Sequence, residues 1–381
     1  MNKSSGLGRA ASSTEILFTP FRLGRTELKN RAVMSPMTRS RSTGNVPGEL
    51  GATYYAQRAA DAGLIVTEGT SPSPDGLGYP RIPGLFNAEQ VRGWRRVTEA
   101  VHARGGRIFV QLMHTGRVGH EKNLPSGARV LAPSAIALPD EKIWVDALGG
   151  LAPLTPPVEM TETDIERAIE EHVTSAKLAI EAHFDGVELH GANGYLIEQF
   201  LNATSNRRTD AWGGSMEQRA RFGFEIARRT VAAIGGDRLG IRVSPYGTNG
   251  GMKADPEVET SYPYFAARMR EAGLVYVHVV DHSSMGAPPV SDTVKAAIRA
   301  RFGGTIILAG GYDLAKAEAD LEAKKGELVA FGRLYLANPD FLARATAGRP
   351  LNTPDFATFY TPGAKGYTDY PFAAPDVNEH T

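Results

Sequence analysis

The chain of 381 residues is long enough for two or three average domains or for one large α/β barrel. Lysine plus arginine and aspartate plus glutamate number 42 each, and neither sign runs in blocks, which leaves no electrostatic footprint for nucleic acid or an anionic membrane. Cysteine is absent, which removes disulfides, thiol nucleophiles, cysteine-ligated zinc and iron–sulfur clusters together.

Residues 1–14 read as a flexible leader without the apolar core of a signal peptide. Nowhere does the chain reach about 18 uninterrupted apolar residues, so the reading is of a cytoplasmic protein whose partner is a small molecule. Beyond the leader, eight short apolar runs follow one another: "AVMSP" (32–36), "LIVTEG" (64–69), "IFVQLMH" (108–114), "GVELHG" (186–191), "LGIRVSP" (239–245), "YVHVVD" (276–281), "TIILAGG" (305–311) and "LVAFGR" (328–333). Stretches with helical spacing lie between them, among them 162–182, 216–234 and 313–323, and this alternation is the signature of parallel βα units. Eight such units predict a (β/α)₈ TIM barrel, a single α/β domain over 15–372 with a short tail at 373–381, and its chemistry belongs in the loops after the strands. The competing architecture, an open doubly wound sheet, lacks the G-x-G-x-x-G turn of a dinucleotide fold. The long stretch 115–160 contains "KIWVDALGGLAPLTPP", two alternating runs around Gly149 and Gly150, which predicts a β-hairpin excursion after the third strand and over the barrel mouth.

The polar residues at the strand ends fall into two kinds. Gly310, Gly311, Gly332 and Arg333, after the last two strands, suit a phosphate at the place where barrels often hold one. The glycine pair read alone is equally a tight strand-to-helix turn. Thr38, Gln111 and Arg242 offer neutral and positive donors suited to a flat heterocycle that accumulates negative charge, such as a reduced flavin, although Arg242 also reads as a structural ion-pair partner.

"HGANGYLIEQFLNATSNRRTDAWGGSMEQRARF" from His190, with "PMTR" at 36–39, "VQLMHTGR" at 110–117, "GIRVSP" at 240–245, "AFGR" at 330–333 and "GAKGYTDYP" at 363–371, closely resembles the Old Yellow Enzyme family of FMN-dependent ene-reductases, over nearly the whole chain. The resemblance implies bound FMN and a nicotinamide reductant, NADPH or NADH. It assigns Thr38, Gln111 and Arg242 to the flavin ring, Pro36, Met37 and Gly69 to main-chain contacts with the ring, and Gly310, Gly311, Gly332 and Arg333 to its phosphate. It also implies that His190 and Asn193 hold the activating oxygen of an enone, nitroalkene or nitrate ester, that Tyr195 donates the proton, and that Tyr79 and Tyr360 line the pocket. Met113 stands where many members have tryptophan, which predicts a roomier pocket on that side.

The remaining polar residues read as structural. His278 and His282 lack a metal-site context and belong to the pocket or its packing. His114 and His120 are loop histidines, and Glu68 is a buried ion-pair partner. Asp210 and Arg219 hold the loop after "HGANGY", and "GGS" opens the next helix. The activity expected is ping-pong reduction of activated alkenes by a monomer or homodimer. The alternatives are a flavoprotein that binds phenolic or steroid ligands with incidental turnover, and a flavin-free phosphate-binding aldolase or isomerase.

Overall fold

A computed structural model describes residues 15–373. The leader expected at 1–14, and all but the first residue of the expected tail, lie outside the described residues. Each of the eight apolar runs seeds one barrel strand: β1 (Ala32–Met34), β2 (Leu64–Thr70), β3 (Ile108–Leu112), β4 (Gly186–Gly191), β5 (Leu239–Val243), β6 (Tyr276–Val280), β7 (Thr305–Ala309) and β8 (Leu328–Phe331). They pair in parallel, in chain order, and β8 returns to β1 to close the barrel. Nearly every strand residue is buried, because a parallel strand has helices on one face and the barrel interior on the other.

The outer layer comprises α1 (Glu49–Ala59), α2 (Ala88–His102), α3 (Glu162–Glu181), a short α4 (Leu196–Leu201), α5 (Met216–Ile234), α6 (Val258–Ala272), α7 (Asp292–Phe302), α8 (Leu314–Glu322), α9 (Arg333–Ala337) and α10 (Phe341–Thr346). Capping chemistry sets their starts. Thr161 with Asp164 and Ser215 with Gln218 form capping boxes on α3 and α5, and the Asp313 side chain caps α8. The "GGS" segment therefore opens α5 as its composition predicts.

Inside the barrel, period-two alternation sorts residues by height. Val33, Leu64, Val66, Phe109, Tyr276, Ile307, Leu328 and Ala330 form one apolar cluster with Leu23 and Leu28. Those two leucines lie on a small hairpin, Phe21–Leu23 paired with Thr26–Leu28, which seals the lower end. Two glycines make room for the rings in this floor. A Cβ on Gly186 would meet the Phe109 ring at 2.4 Å, and one on Gly240 would meet Tyr276 Cζ at 2.2 Å. The Phe109 and Tyr276 rings then sit 6.2 Å apart across the interior. With the floor closed, access is left at the C-terminal ends of the strands.

The excursion after β3 contains the expected hairpin, Lys142–Val145 paired antiparallel with Gly150–Pro153. Its buried face, Ile143, Val145, Ala152 and Leu154, packs with Tyr79 and Leu138. The segment after Gly348 crosses back to β1. The buried Arg39 guanidinium donates to the carbonyls of Phe359 at 3.2 Å and Gly366 at 2.6 Å, and Tyr367 stacks on Tyr54 with centroids 4.1 Å apart.

Candidate active site

Continuing the inward alternation upward, the apolar floor gives way to a polar layer. Register places Glu188 beside Gln111, His190 beside Arg242, and Arg242 beside His278. Glu188 is fully buried and satisfied by three side chains: Gln111 Nε2 donates to Oε1 at 2.7 Å, and Tyr276 Oη and His278 Nδ1 donate to Oε2 at 3.0 and 2.9 Å. Burial pushes its pKa up, but His278, Arg242 and Gln111 together outweigh that and hold it below the usual carboxylate range. With one amide proton given to Glu188, Gln111 keeps its carbonyl oxygen and a second N–H for a ligand. Arg242 is the opposite case, a buried guanidinium whose Nε meets no partner. A buried N–H donor without an acceptor is costly even beside the Glu188 charge, so a ligand with an anionic edge fits here.

Above this layer the turn after β4 brings His190, Asn193 and Tyr195 together. His190 Nδ1 accepts the Ala192 N–H at 3.3 Å, which leaves the ring proton on Nε2. Burial, reinforced by Arg242, His278 and His282, holds His190 well below its ordinary pKa, so it is a neutral donor. Asn193 has φ +60°, and His282 Nε2 donates to its Oδ1 at 2.6 Å, leaving the Asn193 amide protons for another acceptor. The Tyr195 ring meets His190 edge-on at 4.9 Å, and its hydroxyl donates to Tyr79 Oη at 3.0 Å. Burial raises both phenols, Tyr79 to about 12 and Tyr195 well above 10, so both stay protonated.

Three expected pocket residues differ in exposure. Tyr79 is half-buried beside Tyr195. Tyr360 stands at the rim, 61% exposed, where Arg81 Nη2 donates to its carbonyl at 3.1 Å and pairs with Asp146 of the excursion. Met113 is not an open wall of the pocket: it is 1% exposed and packs with Leu77 and Ile82 behind Tyr79 and Tyr195. A Cβ on Gly69 would strike the Met113 sulfur at 2.4 Å, so the glycine and the thioether occupy one another's space.

On the side of β7, β8 and β1, Ala309 lies level with Ala330, which makes the two following loops neighbours. Gly310 has φ +116°, and a Cβ there would strike the Asp281 carbonyl oxygen at 2.0 Å; Gly311 has φ +64°. Only glycine fits at 310. Gly332 faces Met37, whose sulfur would lie 3.5 Å from an added Cβ, and Arg333 is exposed. Pro36 is buried and Thr38 half-buried. The left-handed glycines, the exposed Arg333 and the unpartnered Arg242 Nε are the groups this face offers to a flavin phosphate and the anionic edge of its ring.

Several residues that fix this site were absent from the sequence reading. Glu188 sat unnoticed in "GVELHG", though its parity with His190, two positions on, marks it as inward-facing. Ser244 and Glu198 were also missed: Ser244 Oγ accepts the Asn193 N–H at 2.8 Å and donates to Glu198 at 2.8 Å. Glu68 was expected in an ion pair. It instead accepts the Arg39 amide N–H at 3.1 Å, with the Tyr55 hydroxyl 3.4 Å away, and burial pushes it up to about 7. In the loop after β4, Asp210 pairs with Arg208, and Arg219 Nε donates to the Leu201 carbonyl at 2.9 Å. Among the described residues no group of three or more His, Cys, Asp or Glu is placed to hold a metal, and no helix is long and apolar enough to cross a membrane.

Residues 16–352 match the model of the NADH:flavin oxidoreductase / NADH oxidase family. Aldehyde reductase FrzD of Cladobotryum sp is 40% identical over 373 residues, 96% of each chain. The 12-oxophytodienoate reductase 1 of Oryza sativa subsp. japonica is 40% identical over 368 residues, covering 95% of this chain and 94% of its own. Morphinone reductase, solved in complex with tetrahydroNAD, superposes with a TM-score of 0.89 at 42% identity over 96% of this chain and 99% of that one. The chain therefore belongs to the NADH:flavin oxidoreductase / NADH oxidase family, the FMN-dependent ene-reductases of the Old Yellow Enzyme kind. FMN and a nicotinamide reductant are its cofactors.

Proposed function

We propose that the enzyme reduces the carbon–carbon double bond of α,β-unsaturated carbonyl and nitro compounds, with His190 and Asn193 binding the conjugated oxygen and Tyr195 supplying the proton. The supporting observation is that one turn, next in register to Arg242 with its unpartnered Nε, carries a neutral His190 Nε2–H, the uncommitted Asn193 amide protons and a protonated Tyr195.

Arg242 and the Gln111 carbonyl would hold the flavin pyrimidine, Thr38 and the main chain at Pro36, Met37 and Gly69 the rest of the ring, and Gly310, Gly311, Gly332 and Arg333 the phosphate. Bound FMN supplies the hydride for the alkene β-carbon, regained from NADPH or NADH in the other half of a ping-pong cycle. Two hydrogen bonds from His190 and Asn193 withdraw density through the conjugated oxygen and stabilise the enolate that develops there. Tyr195, held protonated by burial, donates to the α-carbon. Nitrate esters present the same kind of acceptor oxygen to the pair. Protein and reductant meet most simply in the cytoplasm, where NADPH and NADH are regenerated, with the enzyme as monomer or homodimer.

The same donor pair accepts a phenolate, so a ligand-binding flavoprotein is the competing reading. NADPH consumption that depends on added cyclohexenone supports the reductase; phenol binding without any alkene-dependent oxidation supports the alternative.

A further inference from the structure

Glu198 takes no part in the chemistry above, yet it is 2% exposed at the first turn of α4. Its Oε2 accepts the Gly194 N–H at 2.6 Å. Its Oε1 accepts the Ser244 hydroxyl at 2.8 Å and the hydroxyl of Tyr262 from α6. Ser244 in turn accepts the Asn193 N–H. Asn193 and Gly194 are consecutive left-handed residues, at φ +60° and +75°. Asparagine tolerates this conformation better than other non-glycine residues, and two successive left-handed residues still need their amides held. Here both amides end on one carboxylate, directly or through one hydroxyl, and Gln199 Nε2 of the same helix holds the Gly194 carbonyl at 2.6 Å. The two side chains that flank this pinned backbone are the Asn193 amide and the Tyr195 phenol.

Resting on the reductase reading, we infer that Glu198 is a positioning residue: its carboxylate, relayed through Ser244, sets the aim of Asn193 and Tyr195 at the bound substrate without touching it.

Burial pushes Glu198 up to about 7, against the pull of its three donors. It is therefore the accepting carboxylate above that pH, and below it carries a proton that competes with the three donors, so the turn loosens as pH falls through about 7. The groups facing it are Tyr262 from α6, kept protonated by burial, the Ser244 hydroxyl from the end of β5 and the Gly194 amide. On α5, Arg219 is turned to the Leu201 and Gly214 carbonyls and to Glu257. His190 and His282 do not titrate near 7, since His190 lies well below 6.5 and His282 at about 4. Glu68, also at about 7, lies on β2 against Arg39 and Tyr55, and a transition it causes survives substitution of Glu198.

The test uses FMN-loaded wild type, Glu198→Gln and Ser244→Ala. Phenol binding is read from the flavin spectrum, and cyclohexenone-driven reoxidation of pre-reduced enzyme is followed across the pH range bracketing 7. Wild type should lose phenol affinity and reoxidation rate as pH falls through that value. Glu198→Gln, with one acceptor oxygen for three donors, should lose about tenfold in both at high pH and show no step. Ser244→Ala should lose a similar factor and keep the step. FMN retention, which rests on Gln111, Arg242 and the loops after β1, β7 and β8 rather than on the turn after β4, should be unchanged in both. A Glu198→Gln protein with wild-type affinity, rate and pH step overturns the inference, and Ser244→Ala decides it if the first variant fails to fold. Wild-type enzyme that cyclohexenone cannot reoxidise contradicts the reductase reading instead, while the phenol titration still reports on the turn.

Discussion

At the scale of single residues, the site separates acceptance of charge from delivery of a proton. His190 is a donor because burial and its cationic neighbour Arg242 forbid a second proton, and because the Ala192 amide occupies Nδ1. Tyr195 is an acid because burial raises a phenol that would ionise near 10 in water. The consequences differ in the two half-reactions. Tyr195→Phe should slow reoxidation by an enone by about 10²-fold or more, as loss of a general acid does, while reduction by NADPH stays near wild type. His190→Ala should cost the alkene step about 3 kcal/mol, the usual loss for one oxyanion donor. Stopped-flow separation of the half-reactions checks both; equal loss of the two halves in Tyr195→Phe would mean that the phenol serves structure.

At the scale of elements, the glycines on β4 and β5 matter as much as the polar residues above them. Gly240 lets the Tyr276 ring cross the floor, and that ring's hydroxyl is one of the three donors on Glu188. Gly240→Ala should overpack the floor and destabilise by about 1–3 kcal/mol, seen as a lower thermal midpoint. A midpoint equal to wild type would show that Tyr276 moves freely. The strands themselves were legible, because parallel strands buried on both faces produce uninterrupted apolar runs. The hairpin was legible from its alternation around Gly149 and Gly150. What local pattern could not supply was partnership across the chain: Asn193 reaches His282 over 89 positions and its amide reaches Ser244 over 51. The family resemblance also named Met113 and Tyr360 as pocket residues without revealing that one is buried against other rings and the other is exposed.

At the scale of the whole molecule, buried titratable groups set the pH dependence of stability. Burial drives His114 to about 3 and His172 and His282 to about 4, with His190 and His278 also lowered. The unfolded chain binds these protons below pH 6.5 and the folded chain does not, so their contribution is lost as pH falls from 6.5 towards about 4. Glu68 and Glu198, raised to about 7, act in the opposite sense: their contribution is present below the ordinary carboxylate pKa of 4.5 and lost as pH rises through 7. Five lowered histidines outnumber the four raised carboxyls, Glu68, Glu198, Asp61 and Glu171, so the thermal midpoint should fall on acidification from 6.5 to 4.5. A midpoint that rises over that interval would show that the histidines are solvated.

FMN joins these scales, since its phosphate and ring would draw together loops from opposite sides of the barrel. The most direct measurement of the central claim is anaerobic: enzyme reduced with one equivalent of NADPH is mixed with cyclohexenone, and the flavin spectrum is followed. The oxidised spectrum should return at a rate that rises with enone concentration and yield cyclohexanone. Flavin that remains reduced until oxygen is admitted would contradict the reductase assignment.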